Sequence, residues 1–323
     1  MLNNTTVEEC MTSYSGRVYM SSDQINFLIA YDIATGFFNF LANGLVIFAL
    51  VLSKQTGNPS LKLIFLLSVS DCCLAVVVQS LFAVMMFKFP HTQNCTFEMM
   101  TQFFGIFFTH TSGYIIALIG FDRYARVKFL TKYSNIMTSK RVKILVIIVI
   151  LLSVVQATLY VLGTTFGIFD KTKKIGVAVD FIVVLSVVIV TIMAVCAVKS
   201  HRRNAGDQSM MKAVDQTVTR LASKILLTII IFYVIYVIIA FLHSAQADKS
   251  TGAKRSWLEF GVFLGYLLTY TNSLVNALIF LSVNNKARME LLRRTFKGRD
   301  SKDDHTGSVS KSNTQEISIK DLS

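Results

Sequence analysis

The sequence predicts an all-α membrane protein: a bundle of seven transmembrane helices with a short amphipathic eighth helix. Composition is the first of three observations behind this. Of 323 residues 53% are hydrophobic and only 16% charged, with a mean hydropathy of +0.55, more apolar material than a soluble domain hides in its core. Second, the apolar residues gather into seven runs, 27–52, 61–87, 97–121, 142–163, 175–198, 221–243 and 258–283, and a bilayer needs about 20 helical residues per crossing. Third, the 2 prolines, Pro59 and Pro90, fall between runs and not within them. Lipid leaves no partner for open backbone groups, so each run is a helix or part of a closed barrel, and runs this continuous are not the alternating strands of a barrel.

Residues 1–26 are polar and lack the apolar core and small-residue cleavage site of a secretory signal, so span 1 is expected to serve as its own insertion signal. Most of the 32 Lys and Arg lie between spans 1 and 2, 3 and 4, 5 and 6, and after span 7. The excess of basic residues on one side places the N-terminus outside and the C-terminus in the cytosol. The net charge of +13 then reflects topology and an anionic inner leaflet, with no nucleic acid partner implied. Asn3, Asn4 and Asn94 begin Asn-X-Thr triplets on the outer side and are candidate glycosylation sites. Cys72 and Cys73 in span 2 and Cys196 in span 5 read as packing residues.

Within the spans, polar residues are costly and tend to face the bundle interior. Asn43 in span 1, Asp71 in span 2, Ser112 in span 3 and Asn272, Ser273 and Asn276 in span 7 each lie near mid-membrane. Three- and four-residue spacing puts the last three on one helical face. A carboxylate among neutral oxygen donors suits a small monovalent cation; a hydrogen-bonded network around a protonated Asp71 is the alternative that spacing leaves open. Span 3 ends in "FDRYARV", which sets Asp122, Arg123 and Tyr124 at the inner membrane face.

After span 7, residues 284–297 place Met289, Leu292 and Phe296 on one face and Arg288, Arg293 and Arg294 elsewhere, as expected of a helix lying on the inner leaflet. Residues 298–323 are polar, rich in Ser and Thr, and expected to be a disordered cytosolic tail. The domain organisation is therefore an extracellular segment 1–26, a transmembrane domain 27–283, a surface helix 284–297 and the tail 298–323.

Asn43 followed by Gly44, "LSVSD" in span 2, "FDRYARV" in span 3 and "NSLVNALIF" in span 7, in that order on seven spans, together resemble the rhodopsin-like G-protein-coupled receptors. The similarity covers roughly residues 25–297. It implies a receptor of the plasma membrane that activates a heterotrimeric G protein, with arrestin and receptor kinase as further partners through the Ser/Thr-rich tail. It implies that Asp122, Arg123 and Tyr124 form the coupling switch, and that Asn43, Asp71, Ser112, Asn272, Ser273 and Asn276 form a sodium pocket or polar network. By the same resemblance Gly105, Thr109, Tyr236, His243, Tyr266 and Tyr270 are ligand-binding candidates, with Asp32 and Gln79 at the rim. No aspartate stands in the outer half of span 3 and no lysine in 258–283, which disfavours amine and retinal and leaves a small polar molecule, a lipid or a short peptide.

The departures from the family are specific. The prolines of spans 5, 6 and 7 are absent: Ile238 replaces the one in span 6, and span 7 reads Asn276, Ala277, Leu278, Ile279, Phe280. Without the hydrogen bond that proline deletes, spans 6 and 7 are expected to be straighter. Phe232, Tyr236 and Phe280 are the candidate switch residues of spans 6 and 7, and Val218 stands where family members often carry an acid. Residues 163–176 contain no cysteine to staple to span 3, so Cys10 and Cys95 are either bridged to each other or unpaired. Two further classes stay open: an ion-coupled transporter or channel, and a receptor fold that has lost signalling. Transporters usually carry paired repeats and broken helices, which this chain lacks. No nucleophile and base pair across the spans points to an enzyme, and no cofactor beyond a sodium ion is expected.

Overall fold

The computed structural model describes residues 20–54, 58–88, 95–129, 132–165, 181–182, 185–186, 188–190, 192–197, 228, 230–246, 252–285 and 288–293. Among them every regular element is helical. Five helices among the described residues are long and apolar enough to cross a membrane: Ser22–Leu52, Pro59–Phe87, Thr96–Arg126, Ser139–Gly163 and Gly252–Val283. These are spans 1, 2, 3, 4 and 7 of the sequence. Span 5 is helical in the described parts of 181–197, and span 6 is described from Ile230 to Gln246. Turns at 288–293 are helical where the surface helix is expected. Asn3, Asn4, Asn94, Cys10 and the side chain of Cys95 lie outside the described residues, so the glycosylation and disulfide expectations do too.

Helix starts have local causes. Ser21 caps span 1 through a reciprocal pair, Gln24 N–H donating to Ser21 Oγ at 3.3 Å and Ser21 N–H to Gln24 Oε1 at 2.9 Å, which satisfies donors that the first turn leaves open. Ser256 Oγ donates to the same Gln24 Oε1 at 2.7 Å, tying the outer ends of spans 1 and 7. Asn58 caps span 2, and Pro59 occupies the first turn, where its missing N–H costs nothing. Span 7 starts at Gly252, earlier than the apolar run, because Lys254 and Arg255 extend the helix without adding hydropathy.

Packing runs in an arc: span 6 on 7, 7 on 1, 1 on 2, 2 on 3 and 3 on 4, with span 2 also touching 7 and 4. Two apolar clusters fill the interior. The outer one joins Leu28, Leu74, Val78, Phe82, Met86 and Leu267; the inner one joins Val46, Leu50, Leu63, Ile115, Val142 and Phe280. Between them lies a buried polar layer containing Asn39, Asn43, Asp71, Ser112, Asn272 and Ser273. Outward faces carry exposed Phe37, Phe48, Ile147, Leu151 and Leu159, as lipid-facing surface does.

Span 6 is not a uniform α-helix even though it lacks the proline. Residues Ile230–Val234 form a π-helical turn that runs directly into the α-helix Ile235–Gln246, and span 2 holds another at Leu74–Gln79. A π turn fits an extra residue into the helix and shifts its hydrogen-bond ladder, so span 6 carries a break without a proline. Span 7 runs without such a break from Gly252 to Val283.

Candidate functional site

The mid-bundle layer is assembled from four spans. Asp71 is fully buried, and its Oδ1 accepts a hydrogen bond from Ser112 Oγ at 2.5 Å. Ser112 Oγ also lies 3.4 Å from Ser70 Oγ. Asn43 Nδ2 donates to Asn39 Oδ1 at 2.8 Å and to the Ser273 carbonyl at 3.4 Å, joining span 1 to span 7. Asn39 Nδ2 reaches the Asp71 carbonyl at 3.4 Å. Several polar atoms stay open: Asp71 Oδ2, Asn272 Oδ1 and both Oδ1 and Nδ2 of Asn276 are buried with no hydrogen-bond partner among the described residues. Buried polar atoms without partners are costly, and three of these four are oxygens of the kind that bind a cation. Hydrogen bonds thus join Asp71 to Ser112 and Asn43 to the Ser273 carbonyl, while Asn272 and Asn276 are buried on span 7 with no bond to the others; Asn39 is an added member, and its four-residue spacing from Asn43 is its signal in the sequence.

At the inner face, Asp122 is fully buried and Arg123 is 13% exposed at its side chain. Arg123 Nε stands 3.9 Å from Asp122 Oδ2, an ion pair without a hydrogen bond. The tighter partner of Asp122 is Tyr133, whose hydroxyl donates to Oδ1 at 2.6 Å. Tyr133 belongs to the short helix Tyr133–Ile136 between spans 3 and 4. Its oxygen also meets Ser60 Oγ at 2.9 Å and receives an N–H from Arg126 at 3.1 Å, while Arg126 donates to Ser60 at 2.6 Å and lies over the Tyr133 ring at 4.7 Å. Partial burial, then the hydrogen bond to Asp122, push the Tyr133 phenol above its ordinary pKa, so it remains a donor. Tyr124 packs edge-on against Phe129. "FDRYARV" therefore marks Asp122, Arg123 and Arg126, whereas nothing local in the sequence singles out Ser60 or Tyr133.

The outer candidates divide. Tyr236 and Tyr266 bring their rings to 5.1 Å. Gly105 of span 3 faces Tyr270, where an added Cβ would lie 3.6 Å from Oη, an ordinary contact. Thr109 lies one turn inward of Gly105 and is half-buried. His243, nearer the outer end of span 6, has Nε2 3.0 Å from Glu259 Oε1 of span 7, both residues buried; Glu259 escaped the sequence reading. Asp32 and Gln79 are not at a rim: both are buried and bonded to each other, Gln79 Nε2 donating to Asp32 Oδ1 at 3.2 Å. Spans 6 and 7 pack closely because Gly265 faces Tyr236, where an added Cβ would lie 3.1 Å from the ring, and Gly261 faces Ile239 at 3.3 Å. This glycine pair four residues apart is a known device for close helix contact in membranes. Of the switch candidates, Phe232 is half-buried in the π turn and Phe280 is buried in the inner cluster.

Compared with known families, residues 42–280 match the description "7 transmembrane receptor (rhodopsin family)". Among curated proteins none matches the chain.

Proposed function

Because the chain belongs to the rhodopsin family of seven-transmembrane receptors, we propose that it activates a heterotrimeric G protein at the cytosolic face when a ligand shifts the packing of the outer bundle. The observation that carries this reading is the inner end of span 3. Arg123 is mostly buried beside a carboxylate whose stronger bond goes to Tyr133. The guanidinium is compensated yet not locked, and freeing it would expose a cationic anchor for a G-protein helix. A ligand can only bias an equilibrium that already exists, so the two partners act oppositely. Asp122→Asn raises basal nucleotide exchange, and Arg123→Ala removes coupling while surface expression stays at the wild-type level. Exchange by purified G protein in vesicles bearing each variant is the measurement. Wild-type exchange in both variants would make the pair a membrane anchor and leave the receptor fold without this mechanism.

The ligand is a small polar molecule, a lipid or the end of a short peptide, received among Gly105, Tyr236, Tyr266 and Tyr270, with the His243–Glu259 pair above them. A sodium ion in the mid-bundle layer, held by Asp71 with Ser112, Asn272, Ser273 and Asn276, favours the inactive packing; the open acceptors on Asp71, Asn272 and Asn276 support it. The receptor acts at the plasma membrane with its N-terminus outside, and arrestin and a receptor kinase engage the Ser/Thr-rich tail.

A further inference from the structure

We propose that Asp32 is a second monovalent-cation site, set between spans 1 and 2 in the outer half of the bundle and coupled to Asp71 through Gln79 and Asn39. Asp32 is 0% exposed. Its Oδ1 accepts one neutral hydrogen bond, from Gln79 Nε2 at 3.2 Å, and its Oδ2 has no partner. No basic side chain pairs with it among the described residues. A carboxylate taken out of water needs a compensating positive charge, and here the protein supplies only neutral groups.

Those groups suit a small alkali ion. Thr35 Oγ1 spends its own proton on the Tyr31 and Asp32 carbonyls, at 2.8 and 3.1 Å. Three oxygens converge on Gln79 Nε2, namely Thr35 Oγ1 at 3.1 Å, Asp32 Oδ1 at 3.2 Å and the Asp32 carbonyl at 3.3 Å, so an ion that takes the place of this N–H group meets oxygen on several sides. Gly36 packs directly against Gln79, where an added Cβ would lie 3.4 Å from its side chain. One carboxylate with neutral oxygens balances a single positive charge. A divalent ion would demand more anionic ligands and hold its water more tightly, and an organic ammonium does not fit a group with no exposed surface.

Gln79 is also the link inward. Asn39 Nδ2 donates to Gln79 Oε1 at 3.4 Å and to the Asp71 carbonyl at 3.4 Å, and Asn39 Oδ1 accepts from Asn43. An ion at Asp32 draws an oxygen, not an N–H, from Gln79. Turning that amide reverses the donor sense offered to Asn39, which must reorganise beside Asp71. The coupling, but not the Asp32 site itself, rests on the reading of Asp71 as an ion ligand.

The test is thermal unfolding of the purified full chain against sodium, with N-methylglucamine keeping ionic strength constant. Wild type gives two saturating steps in melting temperature. Asp32→Asn loses one, Asp71→Asn loses the other, and the double variant is insensitive. Gln79→Glu, which adds a carboxylate and leaves Asp32 intact, moves the outer step to at least tenfold lower sodium and decides the matter should Asp32→Asn fail to fold. A wild-type sodium response in Asp32→Asn overturns the proposal, as does a variant that changes only the pH dependence of melting, which would make Asp32 a proton site. Loss of all sodium response in Asp32→Asn, with Asp71→Asn like wild type, upholds the outer site and removes the Asp71 reading instead.

Discussion

At the scale of single residues, the inner-face network shows how a short motif depends on a residue it does not contain. Asp122 could in principle spend both oxygens on Arg123, but the closer bond is from Tyr133 at 2.6 Å. Because burial and that carboxylate both raise the phenol's pKa, Tyr133 donates across the physiological range and holds the carboxylate in place without adding charge. Tyr133→Phe leaves a buried acceptor short of a donor, a loss of about 1–3 kcal/mol, and frees Ser60 and Arg126 as well. Basal G-protein nucleotide exchange should therefore rise in Tyr133→Phe, by less than in Asp122→Asn because the charge of Asp122 still offsets Arg123. Exchange no higher than wild type would mean that the loop tyrosine only braces the fold. Asp122 and Arg123 were legible because they sit side by side at the end of an apolar run. Tyr133 was not, since its role depends on the loop folding back onto spans 2 and 3, which no spacing along the chain encodes.

At the scale of elements, the spans announced themselves through hydropathy, while the break in span 6 did not. A missing proline is visible in a sequence; a π turn, which requires no particular residue, is not. The turn at Ile230–Val234 precedes Tyr236, the residue wedged against Gly265 of span 7. A weakened hydrogen-bond ladder just inside a tight contact is where a helix can bend while its outer part stays docked. Hydrogen exchange should accordingly be faster in amides 230–235 than in the corresponding turns of span 7, 266–272; equal protection would place the hinge elsewhere. The glycine contact can be probed separately. Gly265→Val forces a branched side chain into a space where even a Cβ stands 3.1 Å from Tyr236, an overpacking cost of about 1–3 kcal/mol. Its melting temperature should fall, and ligand-independent signalling should change with it as span 6 is pushed from span 7. An unchanged melting temperature would show that the ring swings aside freely.

For the whole molecule, two apolar clusters separated by a polar layer make one packing arrangement sensitive to a small charge. The sequence placed Asn43, Asp71, Ser112 and the span 7 residues in that layer because each is polar inside an apolar run, and intramembrane polarity is conspicuous. It set Asp32 and Gln79 at a rim because it could not say how deep span 1 sits; the capped helix beginning at Ser22 buries both. The layer ties spans 1, 2, 3 and 7 together around Asp71, so an ion there stabilises whichever arrangement keeps these spans close. If that is the inactive one, sodium acts as a ligand of the closed state, and a site at 100 times its Kd adds about 2.7 kcal/mol to that state alone. Raising sodium at constant ionic strength should then lower basal nucleotide exchange by the wild-type receptor in vesicles. Asp71→Asn keeps the fold's hydrogen-bonding capacity but not the charge, so its exchange should no longer fall with sodium whatever the ion does at Asp32. If wild-type exchange is the same in sodium and in N-methylglucamine, the open acceptors of the layer do not hold an inactivating ion, and the polar layer serves only to fix the register of the four spans.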